Sequence, residues 1–262
     1  MQKRKSPPKK KGVLEGIDLA GAHHAEGASG GEGPAQVGVP PLEATGPLAV
    51  GTFPIVGIGA SAGGLHAFEK FFSGMPAETD PGMAFVLVQH LAPDHQSILA
   101  ELIRRYTRMQ VFEVVDGMEV KPNCAYIIPP NRDMAFLNGA LHLLEPSAPR
   151  GQRLPIDFFF RSLAQDQREK AICIILSGTG SDGTQGVRAV KGEGGIAMAQ
   201  TPDSTEYDGM PRSAISTGLV DFQLPPAEMP MELIAYARRA FSRASKTGLP
   251  AQMDGGEDLN KI

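Results

Sequence analysis

The sequence predicts an α/β fold, a doubly wound and mostly parallel sheet with helices on both faces and an antiparallel edge hairpin. Short apolar runs of strand length alternate with amphipathic helical stretches, the pattern of right-handed βαβ crossovers. The runs are apolar throughout rather than alternating, as strands buried on both faces are. Several of them stop in glycine-rich turns that open the next helix.

The elements follow in order. Phe53–Gly59 is a short apolar run ending in a Gly-rich turn, hence a buried strand. The helical spacing of Leu65, Phe68, Phe71 and Phe72 predicts a helix to Met75. Ala84–Gln89 is a second buried strand, and His95–Arg108 a helix with Ile98, Leu99, Leu102, Ile103 and Tyr106 on one face. Val111–Val115 and Cys124–Ile128 are short strands. Asn138-Gly139, between Met134–Leu137 and Ala140–Leu144, is a hairpin turn signal, and this hairpin is placed at one edge of the sheet. Phe158–Gln167 reads as helix and Ala171–Ser177 as the most apolar strand. Gly183–Gly192 is helix, Gly195–Ala199 strand, Met210–Thr217 helix, Leu219–Leu224 strand and Glu228–Arg243 a closing helix.

The 262 residues allow one large domain or two small ones. Residues 1–50 hold nine Gly and six Pro and no aromatic residue, too little apolar surface to offset chain entropy, so a disordered basic head is expected there. The folded domain is expected over 53–243 and a flexible tail over 245–262. Lys3, Arg4, Lys5, Lys9, Lys10 and Lys11 supply 6 of the 25 basic residues, leaving 19 against 29 acidic ones, a net of −10 for the remainder. An acidic body argues against nucleic acid as the main partner, because that affinity rests on neutralising phosphates. No apolar stretch approaches membrane-spanning length, so no membrane insertion is expected. Cys124 and Cys173 each sit in an apolar run and read as buried reduced thiols, consistent with a cytoplasmic location.

In a parallel sheet, chemistry collects at the carboxyl ends of the strands. Three loops lie there: Gly57–Gly64, Gln89–His95 and Ser177–Thr184. The first contains Gly59-Ala-Ser61-Ala-Gly63, the G-x-S-x-G form of a nucleophile elbow, and also Gly57-Ile-Gly59-Ala-Ser-Ala62, the form of a dinucleotide turn. On that loop alone, a serine nucleophile, a pyrophosphate site and a tight turn without chemistry all stand. A dinucleotide site wants an acid at the end of the second strand, where this chain has Gln89-His90. A histidine there is what a serine nucleophile needs as its base. In the third loop, glycines at 178, 180 and 183 flank Asp182; capping of the following helix by Asp182 or Ser181 is the plainer reading of that segment. No Cys cluster and no helical His spacing suggest a metal, so no metal and no cofactor are expected. Ser61, His90 and Asp182 each end a different predicted strand on one edge, the placement that lets nucleophile, base and orienting carboxylate converge.

Six blocks stand in order: Val-Gly-Ile-Gly-Ala-Ser61-Ala-Gly-Gly64, Val-Leu-Val-Gln-His90-Leu, Gly117 through Tyr-Ile-Ile-Pro-Pro130, Leu-Pro-Ile-Asp157-Phe-Phe-Phe, Leu-Ser-Gly-Thr-Gly-Ser-Asp182-Gly and Gly209-Met-Pro-Arg-Ser-Ala214. Together they resemble the catalytic domain of the bacterial chemotaxis protein-glutamate methylesterases, the CheB type. The resemblance spans about Phe53 to Arg239. It implies a serine–histidine–aspartate triad at Ser61, His90 and Asp182, with Ala62, Gly63 and Thr179 bordering the oxyanion site. It also implies hydrolysis of glutamate γ-methyl esters on the cytoplasmic domains of chemoreceptors, with deamidation of receptor glutamines in some members. Met210 and Arg212 are the substrate-side residues it suggests, and a methyltransferase module is a further expected partner. Ala62 and Thr179 stand where the family commonly carries Thr and Met. The family's usual receiver domain has no counterpart in residues 1–50, so the chain resembles the stand-alone module or the front of methylesterase–methyltransferase fusions. A catalytically weak receptor-array scaffold of the same fold is the alternative function.

Overall fold

In the computed structural model, residues 53–76, 80–89, 96–146, 148–149 and 152–241 are described. The expected head and tail, with His90 and His95, lie outside them. The chain runs β1 (Ile55–Ala60), α1 (Gly64–Ser73), β2 (Ala84–Gln89), α2 (Gln96–Tyr106), β3 (Gln110–Glu113), β4 (Met118–Glu119), β5 (Cys124–Ile127), β6 (Asp133–Leu137) and β7 (Ala140–Leu144). It continues with α3 (Pro155–Gln167), β8 (Ala171–Ile175), α4 (Thr184–Gly192), β9 (Ile196–Gln200), α5 (Gly209–Ile215), β10 (Phe222–Leu224) and α6 (Met229–Phe241). No helix among the described residues is long and apolar enough to cross a membrane.

Seven strands form one sheet in the order β10-β9-β8-β1-β2-β5-β3, and every pairing in it is parallel. The two central strands explain their own position: all six residues of β1 and all five of β8 are buried. From β1 the chain first winds outward through β2, then returns to β8 on the other side of β1. This reversal makes the carboxyl ends of β1 and β8 the topological switch point, the place where α/β sheets take ligands.

One face of the sheet packs on α1, α2 and α6. There Phe68, Phe71, Phe72, Leu99, Ile103 and Leu233 cover Val56, Ile58, Phe85, Leu87, Ile172 and Ile174. Phe68, Phe71 and Phe72 recur at helical spacing and are fully buried, each contributing about 1.5–3 kcal/mol relative to exposure. The other face packs on α3, α4 and α5 through Ile156, Phe159, Phe160, Leu163, Val187, Val190 and Met210. On that face β1 carries glycines. A Cβ at Gly57 would lie 2.8 Å from the Phe160 ring, and one at Gly59 would collide with Ile156. Their absence lets α3 sit directly on the strand. Phe160 also fills the space beside Gly186 of α4, so one ring joins strand and both helices.

The expected hairpin is present, but it does not extend an edge of the parallel sheet. It pairs with β4 in a separate three-stranded antiparallel sheet, β4-β7-β6. The reason lies in its pattern: Met134 and Phe136 are buried while their neighbours on β6 are more exposed, so the hairpin has one dry face. That face meets α3, whose Ser162 Oγ accepts the Phe136 N–H at 3.0 Å and whose Asp166 accepts the Asn138 N–H at 2.6 Å. The helix expected from Phe158 begins earlier, at Pro155, which supplies the preset φ favoured in a first turn. The strand expected over Leu219–Leu224 is only Phe222–Leu224, because Gly218 at φ 71° and the Leu219 N–H bond to Thr217 Oγ1 shape a turn first. Cys124 and Cys173 are free and buried, as expected, and burial pushes the Cys173 thiol pKa upward.

Truncating the shared ring, Phe160→Ala, is expected to lower stability by about 3–5 kcal/mol. Urea denaturation checks this; a loss below about 1 kcal/mol would show that the strand and helices close the space without it.

Candidate active site

The turn between β1 and α1 presents Ser61. The β1–β8 ladder continues one step beyond the strands: Leu176 N–H donates to Gly59 O and Ser61 N–H to Ser177 O, both at 2.9 Å. Ser61 O accepts the Gly64 N–H at 2.9 Å and the Gln89 side-chain amide at 3.4 Å. The backbone then turns through Gly63 at φ 74°, a left-handed conformation that opens α1 without a side-chain cap. Glycine is required at Gly63 for space as well, since a Cβ would sit 2.5 Å from Ser177 Oγ and 3.0 Å from the Tyr207 ring. Ser61 is therefore held by its backbone on both sides, half-buried, at the tip of the central strand.

The loop after β8 closes over it. A Cβ at Gly178 would lie 3.0 Å from Ser61 Cβ and collide with Met210 Sδ, so Met210 and Ser61 flank the same glycine. Gly178 N–H donates to Tyr207 O and Met210 N–H to Gly178 O, both at 2.9 Å. Thr179 is exposed on this loop, and Ala62 is half-buried beside Ser61. Arg212 lies one turn into α5, exposed, with its Nε 2.5 Å from Asp208 Oδ2; that carboxylate holds the guanidinium pKa above its usual value.

Asp182 is 3% exposed, just before the helix α4. The amino end of α4 has Gly183 at its cap position with no side-chain bond. Asp182 reaches across to α3: Oδ2 accepts the Ile156 N–H at 3.1 Å and Oδ1 the Asp157 N–H at 2.9 Å. Asp157 returns the bond, its Oδ1 accepting Gly186 N–H of α4 at 2.7 Å. Each helix thus has its free first-turn amides satisfied by a carboxylate from the start of the other. Burial, opposed by the Gly186 N–H and supported by the Asp182 charge, raises the Asp157 pKa above 3.8.

The structure brings Ser61, Ala62, Gly63, Gly178 and Met210 together and places Asp182 and Thr179 in the neighbouring loop of the same sheet edge. Arg212 stands further out on α5, and His90 lies outside the described residues. Gln89, at the end of β2, turns its amide toward Ser61 O, so the ribose-binding acid of a dinucleotide site has no counterpart there. Three residues that the motifs did not single out shape the site: Ser177, Gln200 and Thr205. Ser177 N–H donates to Gln200 Oε1 at 2.9 Å, and Ser177 Oγ contacts Ala62 O and Thr205 Oγ1, both at 2.7 Å. Gln200 is a buried polar residue closing an apolar strand, the one sequence signal that could have flagged it.

A sequence profile of the family described as CheB methylesterase matches residues 56–233. The chain is 33% identical over 223 residues to protein-glutamate methylesterase/protein-glutamine glutaminase 1 of Myxococcus xanthus, covering 84% of this chain and 60% of that one. It is 32% identical over 206 residues to protein-glutamate methylesterase/protein-glutamine glutaminase 2 of Pseudomonas aeruginosa, covering 77% of this chain and 58% of that one. The chain thus spans under two thirds of these relatives' length. The fold resembles the CheB methylesterase catalytic domain of Thermotoga maritima, with a TM-score of 0.64 and 32% identity over 70% of this chain and 98% of that one.

The paired carboxylates predict a pH signature. Because the folded-state pKa of Asp157 is raised, the native state holds this proton more tightly than the unfolded chain. The stability contribution of Asp157 therefore falls as pH rises from about 4 through its folded-state value. Asp157→Asn keeps an acceptor for Gly186 and removes this titration. Urea midpoints are expected to show wild type losing ground to the variant between pH 4 and 7; a gap that moves the other way would refute the sign.

Proposed function

The chain belongs to the CheB methylesterase family, and on that premise we propose that it is a serine hydrolase of protein γ-glutamyl methyl esters. Its substrates are methylated chemoreceptor cytoplasmic domains, in adaptation of chemotaxis-type signalling in the cytoplasm. Deamidation of receptor glutamines is the same chemistry with ammonia as the leaving group. A methyltransferase module is the natural opposing partner. The observation that carries the reading is the placement of Ser61 beyond β1 at the switch point between β1 and β8, with buried Asp182 pinned in the adjoining loop. The fold region runs from 53 to 243, with residues 1–50 and 245–262 as head and tail.

In this mechanism His90 takes the Ser61 hydroxyl proton as Ser61 Oγ attacks the ester carbonyl. The tetrahedral oxyanion is met by the Ala62 and Gly63 N–H groups, with Thr179 bordering the same space. Collapse expels methoxide, which leaves as methanol with the proton from His90. Water, deprotonated by His90, then attacks the acyl-serine; Ser61 Oγ leaves with the proton from His90 and the glutamate carboxylate is released. Asp182 orients His90 and balances its transient positive charge. The two N–H bonds from α3 hold that carboxylate oriented. The family resemblance assigns the substrate side to Arg212, exposed on α5, and to Met210, buried against Gly178.

Ser61→Ala is expected to cut methanol release from a methylated receptor fragment by about 10⁴-fold or more. Fluorophosphonate labelling of the wild type at Ser61 separates the enzyme from a scaffold of the same fold. Undiminished methanol release by the alanine variant would refute the assignment.

A further inference from the structure

Ser177 ends the ladder of β8 and is 1% exposed, yet none of its polar atoms serves the core. Its carbonyl receives the Ser61 N–H and its N–H is fixed by Gln200. The hydroxyl has one proton and two partners at 2.7 Å. Ala62 O can only accept, so that proton goes to it, in preference to Tyr207 O at 3.5 Å. Thr205 must then donate to Ser177 Oγ, and Thr205 Oγ1 accepts the Tyr207 N–H at 3.1 Å. The chain of bonds therefore runs one way, from Tyr207 through Thr205 and Ser177 to the Ala62 carbonyl.

A trans peptide is planar, with its C=O and N–H pointing in opposite directions. Holding the Ala62 carbonyl on Ser177 therefore fixes where the Gly63 N–H points. The Ser61 carbonyl, held by Gly64 and Gln89, fixes the Ala62 N–H in the same way. Neither of these two N–H groups meets an acceptor among the described residues. The Gly63 amide has no second restraint of this kind: Gly63 is the left-handed, conformationally permissive residue of the turn. We propose that Ser177 is a positioning residue, whose hydroxyl aims the Gly63 amide at the oxyanion by gripping the Ala62 carbonyl. This rests on the hydrolase reading of Ser61. Ser177 touches no substrate and moves no proton in the reaction; it keeps a preorganised donor from rotating away.

The test compares wild type, Ser177→Ala, Ser177→Cys and Thr205→Val for methanol release and for the rate of fluorophosphonate labelling at Ser61, each per folded molecule. A single oxyanion donor supports a factor of about 10²–10³, and misaiming one is expected to lose about 10- to 100-fold in kcat and labelling rate for Ser177→Ala. KM should change by less than about threefold, and the pH at which the rate is half-maximal should not move, because the base is untouched. Ser177→Cys, near-isosteric with a weaker donor, should fall between wild type and alanine. Thr205→Val leaves the Ser177-to-Ala62 bond in place and should lose less than about threefold. Wild-type rates in Ser177→Ala or Ser177→Cys, a loss confined to KM, or an equal loss in Thr205→Val would each overturn the role. A wild type that neither labels nor releases methanol would overturn the hydrolase reading and this role with it; a reactive wild type beside an equally reactive alanine variant would overturn this role alone.

Discussion

The interaction on which the rest of the site depends is the exchange of carboxylates between α3 and α4. Asp182, just before α4, closes the amino end of α3, and Asp157, in the first turn of α3, closes the amino end of α4. Neither helix start could be buried this deeply with its amides unpaired, since each orphaned donor costs about 1–3 kcal/mol. The exchange also decides the direction of Asp182. A carboxylate tied by both oxygens to a neighbouring helix cannot swing with its own loop, so its place at the sheet edge is inherited from the packing of α3 on β1.

That packing is in turn set by what β1 lacks. Ile156 presses against Gly59 and Gly183 together, and its own N–H is one of the two that hold Asp182. Core and site are therefore not separate layers here. The Ser61 turn, the ends of β1 and β8 and the first turn of α3 are one hydrogen-bonded block, with Met210 and Tyr207 of the α5 approach fastened to its outer side.

Much of this order was legible in the sequence because it depends on local period and punctuation. The apolar runs, the glycine turns after β1 and β8 and the Asn138-Gly139 hairpin each announce themselves within a few residues. What was not legible depends on partners far away in the chain. That Asp182 serves α3 follows from a bond spanning 26 residues, which no capping pattern reveals. The hairpin's departure from the sheet edge follows from Ser162 and Asp166, polar residues of α3 that read as solvent-facing. Ser177 and Gln200 act through backbone groups, and such bonds leave no periodic trace. The base proposed at the end of β2 rests on sequence and family alone, since His90 lies outside the described residues.

The glycines of β1 impose one more consequence, on how this strand can vary over time. Val56 and Ile58 face one helical layer and can exchange with other apolar side chains of similar volume, as filled cores allow. Gly57 and Gly59 face the other layer and have no smaller residue to exchange with. Substitution along a single strand should therefore be graded every second position, permissive where volume is shared and closed where volume is excluded. A lineage could repack the permissive face repeatedly while the opposite face stayed frozen, and the serine beyond the strand would keep its address throughout.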